Sequence, residues 1–260
     1  MDQPTVIITG ASRGIGAAAA RSAARLGAAV ILAARTAGAL AQLAEEIRGS
    51  GGRAFEVQAD IGREADCRKV VALALEKTGR IDGLVNNAGV LEPMGRIAES
   101  DPAGWQTSWA VNFLGPVVLI QAALPELRRT GGRIVNISSG AASSVIPGWA
   151  PYSTSKAALN HLTRILAAEE PAVTSVALRP GLVDTQMQAE IRQNGRGRMS
   201  ESSYDRLSGQ HAAGKLLPPE APGKAAAYLA LYSPREWSGE VLPVDDGRIQ
   251  ALYEAHPDQE

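Results

Sequence analysis

Seven short apolar runs recur along the chain with helix-length segments between them, and this alternation constrains the fold more than any other feature. "TVIIT" (5–9) and "AAVILAA" (28–34) are unbroken, the pattern of strands buried on both faces. "RAFEVQA" (53–59), "IDGLVNN" (81–87), "GRIVNIS" (132–138), "VTSVALR" (173–179) and "GEVLPV" (239–244) read similarly. Stretches rich in Ala and Leu occupy 14–26, 37–49, 63–78, 102–129, 152–169 and 221–232. Strands separated by helices need right-handed crossovers, which predicts an α/β fold with a doubly wound, seven-stranded parallel sheet and helices on both faces. No repeat, low-complexity tract or linker breaks the series, so residues 1–250 read as a single domain. The closing "EAHPDQE" has no apolar period, and 251–260 read as a frayed tail.

A net charge of −1 gives no electrostatic footprint for nucleic acid or an anionic membrane. No unbroken apolar run reaches the roughly 18 residues needed to cross a bilayer. The first strand follows the N-terminus with no leader-like segment before it. The lone Cys67 excludes an internal disulfide and suits a reducing compartment. The expectation is a cytoplasmic protein with no nucleic-acid or membrane partner. His161, His211 and His256 are scattered without ligand spacing, so no metal site is expected.

"TGASRGIG" (9–16) follows the first strand and opens the first helix. Gly10, Gly14 and Gly16, with Ser12, Arg13 and Ile15 among them, allow a tight turn whose backbone N–H groups can approach a pyrophosphate at the positive helix end. Three residues separate the first two glycines, unlike the usual dinucleotide turn, and alone the stretch is equally consistent with a plain glycine turn. The end of the second strand decides more. A carboxylate that would hold ribose hydroxyls is replaced there by Ala34, and Arg35 follows. Two guanidiniums and no acid suit a 2′-phosphate, which favours NADP(H) over NAD.

"PYSTSKAAL" (151–159) places Tyr152 and Lys156 four apart, on one helix face. A cation near a phenol favours the phenolate, so the pair can deliver a proton; a core-edge Tyr beside a snorkelling Lys has the same spacing. In "WAVNFLGPVV", Pro116 lies four residues after Asn112, so the Asn112 carbonyl loses its helical partner and the helix should kink.

"TGASRGIG", "NNAG" (86–89), Asn112, "NISS" (136–139), "YSTSK" (152–156) and "RPG" (179–181) fall in the order and spacing of the short-chain dehydrogenase/reductase family, which the chain resembles from about residue 4 to 246. The resemblance implies a Rossmann-type sheet and a homodimer or homotetramer. It implies a catalytic set of Asn112, Ser139, Tyr152 and Lys156, with Ser139 selected over Ser138 because it lies thirteen residues before the Tyr. By the same resemblance Lys156 also holds the nicotinamide ribose. Asp60 and Ile61 contact the adenine, Asn86, Ala88 and Gly89 shape the adenosine pocket, and Val183 and Thr185 reach the carboxamide, beside Pro180 and Gly181. Read from the residues alone, Asn86 can equally tie strands together and Thr185 can equally cap a helix.

Hydride addition to a carbonyl builds charge on its oxygen, which needs a proton or strong hydrogen bonds. Tyr152 is the best donor available and Ser139 a second partner, with the Lys156 charge expected to lower the phenol's pKa. "LAAEEPAVTSVALRPGLVDTQMQAEIR" and "KLLPPEAPGKAAAYLAL" resemble the sepiapterin reductase and fungal benzil reductase branch, which implies a small-molecule carbonyl substrate. The acid that anchors a pterin in sepiapterin reductases aligns with Pro243 here, although Asp245 and Asp246 follow, so the resemblance points to a small or aromatic dicarbonyl. A non-catalytic NADP-responsive regulator is the rival, disfavoured by the intact catalytic set. Residues 186–217, polar with Met187, Ile191, Met199, Tyr204 and Leu207 among glycines, are expected to form a substrate lid, with Trp149 as a flat wall.

Overall fold

The computed structural model describes residues 3–257. Seven parallel strands form one sheet in the order β3-β2-β1-β4-β5-β6-β7: β1 Thr5–Thr9, β2 Ala29–Ala34, β3 Arg53–Gln58, β4 Gly83–Asn86, β5 Arg133–Ile137, β6 Thr174–Arg179 and β7 Val241–Pro243. The order reverses between β1 and β4, so the loops there part and open a crevice at the carboxyl ends of the strands.

Alternation along each strand sends side chains to two cores. Val6, Ile8, Val30 and Leu32 pack with α1 (Gly14–Arg25), α2 (Ala37–Gly49) and α9 (Glu220–Tyr232) on one face. Ile7, Ile31, Leu84 and Ile134 pack with α3 (Glu64–Thr78) and α5 (Gly115–Thr130) on the other. The alanines of α1 have a spatial reason: a Cβ on Gly223 of α9 would stand 2.5 Å from Ala18 Cβ, so only small side chains let these helices meet.

Two expectations need correction. The tail is not frayed from 251: α10 runs Gly247–Ala255, capped by Asp246, whose side chain accepts from Arg248 N. Leu252 is buried and Tyr253 stacks edge-on against Tyr228; residues 258–260 lie outside the described residues. The 102–129 helix is α4 (Pro102–Trp109), a π-turn over Ala110–Leu114, and α5, so the proline interruption takes the form of a widened turn. Counted as one helix, Pro102–Thr130 is also long and apolar enough to cross a membrane. It is a sheet-covering helix here, with Leu119, Ile120, Ala123 and Leu127 in the core.

Candidate active site

The helix α6 (Ala150–Glu169) carries a buried stripe of Tyr152, Ser155, Lys156, Leu159, Thr163 and Leu166 at helical spacing. Tyr152 is 7% exposed and Lys156 3%. The stripe is held in place by a polar chain through the sheet: Asn86 Nδ2 donates to Asn136 Oδ1 at 2.9 Å, and Asn136 Nδ2 donates to Thr163 Oγ1 at 3.0 Å. Asn86 thus ties β4 to β5 and α6. It does not line the crevice, contrary to its assignment as a cofactor contact; its neighbour Asn87 does. The Asn87 amide donates to Thr9 O at 2.8 Å and to Gly10 O at 3.3 Å, fastening the glycine turn to the end of β4.

A cavity of about 640 Å³ occupies the crevice. Gly10, Ser12, Arg13, Gly14 and Ile15 line it from the first turn, Arg35 from the second strand, and Asp60 and Ile61 from the third. Ala88 and Gly89 follow β4, Ser139, Tyr152 and Lys156 come from the β5–α6 region, and Pro180, Gly181, Val183 and Thr185 follow β6. Gly16 stands behind the turn, where a Cβ would meet Gly10 O at 2.4 Å, so its role is close packing of turn and helix. Gly10 and Gly14 adopt φ of +64° and +55°, a conformation that favours glycine. Asn112 is fully buried behind the wall, bonded to Val90, Ser108 and Ser155. Thr185 occupies the N-cap position of α7 without a capping bond from its side chain.

The cavity fits a phosphorylated dinucleotide at one end. Arg13 and Arg35 are exposed along its rim and make no ion pair with the described residues, and Ala34 leaves no carboxylate there to repel a phosphate. At the other end Ser139 and Ser138 separate. Ser138 Oγ donates to Asn160 Oδ1 at 2.6 Å, whereas Ser139 Oγ accepts from Ala141 N at 3.1 Å and faces the Tyr152 phenol.

The electrostatics of the pair differ from the expectation. Burial pushes the Tyr152 phenol above its ordinary pKa, and only the nearby Ser139 hydroxyl opposes this. Lys156 Nζ stands 5.8 Å from the Tyr152 ring centroid and donates to Ile137 O at 2.7 Å. Burial holds its pKa down to about 8. The ammonium is committed to the Ile137 carbonyl in the ligand-free protein, and the shift of the phenol has burial and Ser139 as its causes rather than the Lys156 charge.

Residues 186–217 form a helix pair, α7 (Gln186–Asn194) and α8 (Glu201–Ala212). The insertion closes on itself, with Asp184 N donating to Leu217 O and Leu217 N to Leu182 O, both at 2.8 Å. Ile191, Met199 and Leu207 are buried in a third cluster with Leu91, Trp149 and Tyr152, and Met187 and Tyr204 pack against it. Trp149 meets Tyr152 edge-on, centroids 5.9 Å apart. Sequence reasoning missed Leu91, Ile146, Gln188 and Arg206, which also line the cavity; their signal was position, in loops and helices that follow strand ends. Neither Asp245 nor Asp246 lines it, and Asp246 is engaged by Arg248.

The short chain dehydrogenase family model matches residues 4–196. The chain belongs to the short-chain dehydrogenase family. It is an oxidoreductase of the nicotinamide-dependent type that acts on alcohol and ketone groups. It is 36% identical over 256 residues to the benzil reductase ((S)-benzoin forming) IRC24 of Saccharomyces cerevisiae, covering 94% of this chain and 97% of the relative. Among solved short-chain dehydrogenases, the YIR035C protein of the same yeast superposes with a TM-score of 0.91 at 36% identity, over 96% of this chain and 99% of the other. An actinorhodin polyketide ketoreductase variant, crystallised with NADPH, gives 0.84 at 29% identity, over 95% and 97%.

Proposed function

We propose that this short-chain dehydrogenase is an NADPH-dependent carbonyl reductase whose substrate is a vicinal dicarbonyl of benzil-like character. The observation that carries this reading is the two-ended cavity: unpaired Arg13 and Arg35 at one end, and at the other Tyr152 with Ser139 under an apolar roof of Ile146, Trp149, Met187, Ile191 and Leu207. Arg13 and Arg35 would hold the 2′-phosphate, the glycine turn the pyrophosphate, and Lys156 the nicotinamide ribose. NADPH, when bound, supplies the hydride. Tyr152 gives its proton to the carbonyl oxygen as charge builds there, and Ser139 donates a hydrogen bond to the same oxygen. The phenol is in its protonated form at neutral pH and holds the proton that the developing alkoxide takes, and the apolar roof excludes water from the reacting carbon. The similarity to a benzil reductase, and Pro243 at the position where the acid that anchors a pterin would align, support an aromatic dicarbonyl.

The test is NADPH consumption over a carbonyl panel with wild type and Tyr152→Phe. Benzil and other aromatic 1,2-diketones should be turned over with higher kcat/KM than short aliphatic ketones or sugars. Tyr152→Phe should lose about a hundredfold or more in kcat while still binding NADPH. Best activity on sugars or short alcohols would overturn the substrate class, and substantial turnover by Tyr152→Phe the assigned proton donor.

A further inference from the structure

A buried amide in the cavity wall has no partner. Gln188 is 8% exposed, lines the cavity, and its Oε1 is buried without a hydrogen bond among the described residues; its Nε2 donates to none of them either. It sits on α7 one residue after Met187 and three before Ile191, both of which pack in the cluster around Tyr152. Residues three apart share a helix face, so the amide shares the face that Ile191 turns to that cluster. Trp149, whose Nε1 is also buried without a partner among the described residues, lines the same cavity. Buried polar groups in native proteins are nearly always bonded, and one left unpaired is costly unless something else supplies the partner. A Gln without a partner among the described residues, set in the cavity wall beside Met187 and Ile191, therefore points to a ligand that completes it.

We propose that Gln188 is a specificity-determining residue, donating from Nε2 to the second carbonyl oxygen of a vicinal dicarbonyl whose first carbonyl is protonated by Tyr152. This rests on the dicarbonyl reading above. A diketone offers acceptors only, so the amide must present its NH₂ end, which a turn about the terminal torsion allows. A monoketone of the same skeleton leaves the amide unpaired and is discriminated against by that deficit.

The experiment compares kcat/KM for benzil with that for deoxybenzoin, which keeps the skeleton and lacks one carbonyl oxygen, in wild type, Gln188→Met and Gln188→Glu. Melting temperature is read alongside. Wild type should favour benzil. Gln188→Met should lower the benzil-to-deoxybenzoin ratio about tenfold, the effect of one hydrogen bond, with no loss of melting temperature because an unpaired polar group has been removed. Gln188→Glu, an acceptor only at pH 7, should lower the ratio at least as far. A ratio within about twofold of wild type in both variants overturns the assignment of Gln188 and leaves the dicarbonyl reading standing. Equal losses on both ketones with a lowered melting temperature also overturn it, marking a packing role. A wild type that favours deoxybenzoin overturns the dicarbonyl reading itself, and this proposal with it.

Discussion

Asn112 and Val90 exchange two hydrogen bonds: Asn112 Nδ2 donates to the Val90 carbonyl and Oδ1 accepts from the Val90 N–H, both at 2.8 Å. The amide of a fully buried residue in the π-turn thereby acts as a strand partner for the loop after β4, which lines the cavity through Ala88, Gly89, Val90 and Leu91. A Pro-interrupted helix and a cavity wall are fixed to each other by one side chain.

Removing that side chain leaves two backbone groups short of partners. Asn112→Ala should destabilise by at least about 2 kcal/mol, since each orphaned group costs about 1–3 kcal/mol, which lowers the melting temperature by roughly 4–8 °C in a chain of this size. Asn112→Asp keeps the acceptor for Val90 N–H but sets a buried carboxylate against the Val90 carbonyl, so it should cost at least as much as Asn112→Ala. Thermal unfolding read by fluorescence checks the order; an Asn112→Ala variant as stable as wild type would show that the loop holds itself.

Lys156 makes a prediction about pH. Burial lowers its pKa from 10.5 to about 8, so below pH 8 the folded protein carries an ammonium whose desolvation costs on the order of 3 kcal/mol. Between the two values the unfolded chain binds a proton that the folded chain has released, and this contribution to stability rises with pH through that window. Without ligand, Lys156→Met should melt above wild type at pH 7, the bond lost to Ile137 O offsetting about 1 kcal/mol of the gain. The gap should close by about pH 10. A variant that melts lower at pH 7 would mean that the ammonium stabilises the free protein. Added NADPH should raise the melting temperature of wild type more than that of the variant.

The five inner strands were legible because strands buried on both faces are largely apolar runs, and β1 is the stretch quoted from the sequence; the edge strand β3 shows instead an alternation of buried and exposed positions. What escaped depends on tertiary detail. Asn86 and Asn87 are adjacent and chemically identical, and only the place where β4 ends sends one into the sheet and the other to the cavity. The Tyr152–Lys156 spacing put the two on one face, but Lys156 bonds to the carbonyl of Ile137, nineteen positions away, which no helical period contains. The α10 helix was readable: Ile249, Leu252 and Tyr253 follow the Asp246 cap at core spacing, and the polar residues around them obscured it.

Under the proposed function the two rim arginines set cofactor choice. Arg35 is exposed, has no ion pair with the described residues, and follows the strand end where Ala34 replaces an acid. Arg35→Asp should weaken NADPH binding by roughly tenfold to a hundredfold, the range for a lost hydrogen bond to a charged group, and improve relative use of NADH. Steady-state kcat/KM with each cofactor measures this. Equal use of both by wild type would remove the phosphate-binding role from both arginines.

The helix pair over Tyr152 is tied down at its far side by Arg198, whose Nη1 and Nη2 each lie 2.9 Å from a carboxylate oxygen of Glu92. The two side chains are 43% and 42% exposed, so the pair contributes no more than about 1 kcal/mol. That is too little to move global unfolding by more than a few degrees, yet it is enough to change the population of an opened insertion by up to about fivefold, because each 1.4 kcal/mol corresponds to tenfold. The apolar cluster of Ile191, Met199 and Leu207 remains as the main hold. Arg198→Ala should therefore leave the melting temperature nearly unchanged while speeding limited proteolysis within 186–217 by a few-fold. NADPH with a non-reducible diketone analogue should slow cleavage in both proteins and narrow the difference, because a filled cavity gives Met187, Ile191 and Leu207 a further surface to close on. Cleavage there at the same rate with and without ligands would show that the pair is a fixed roof, and substrate would then have to enter by another edge of the crevice.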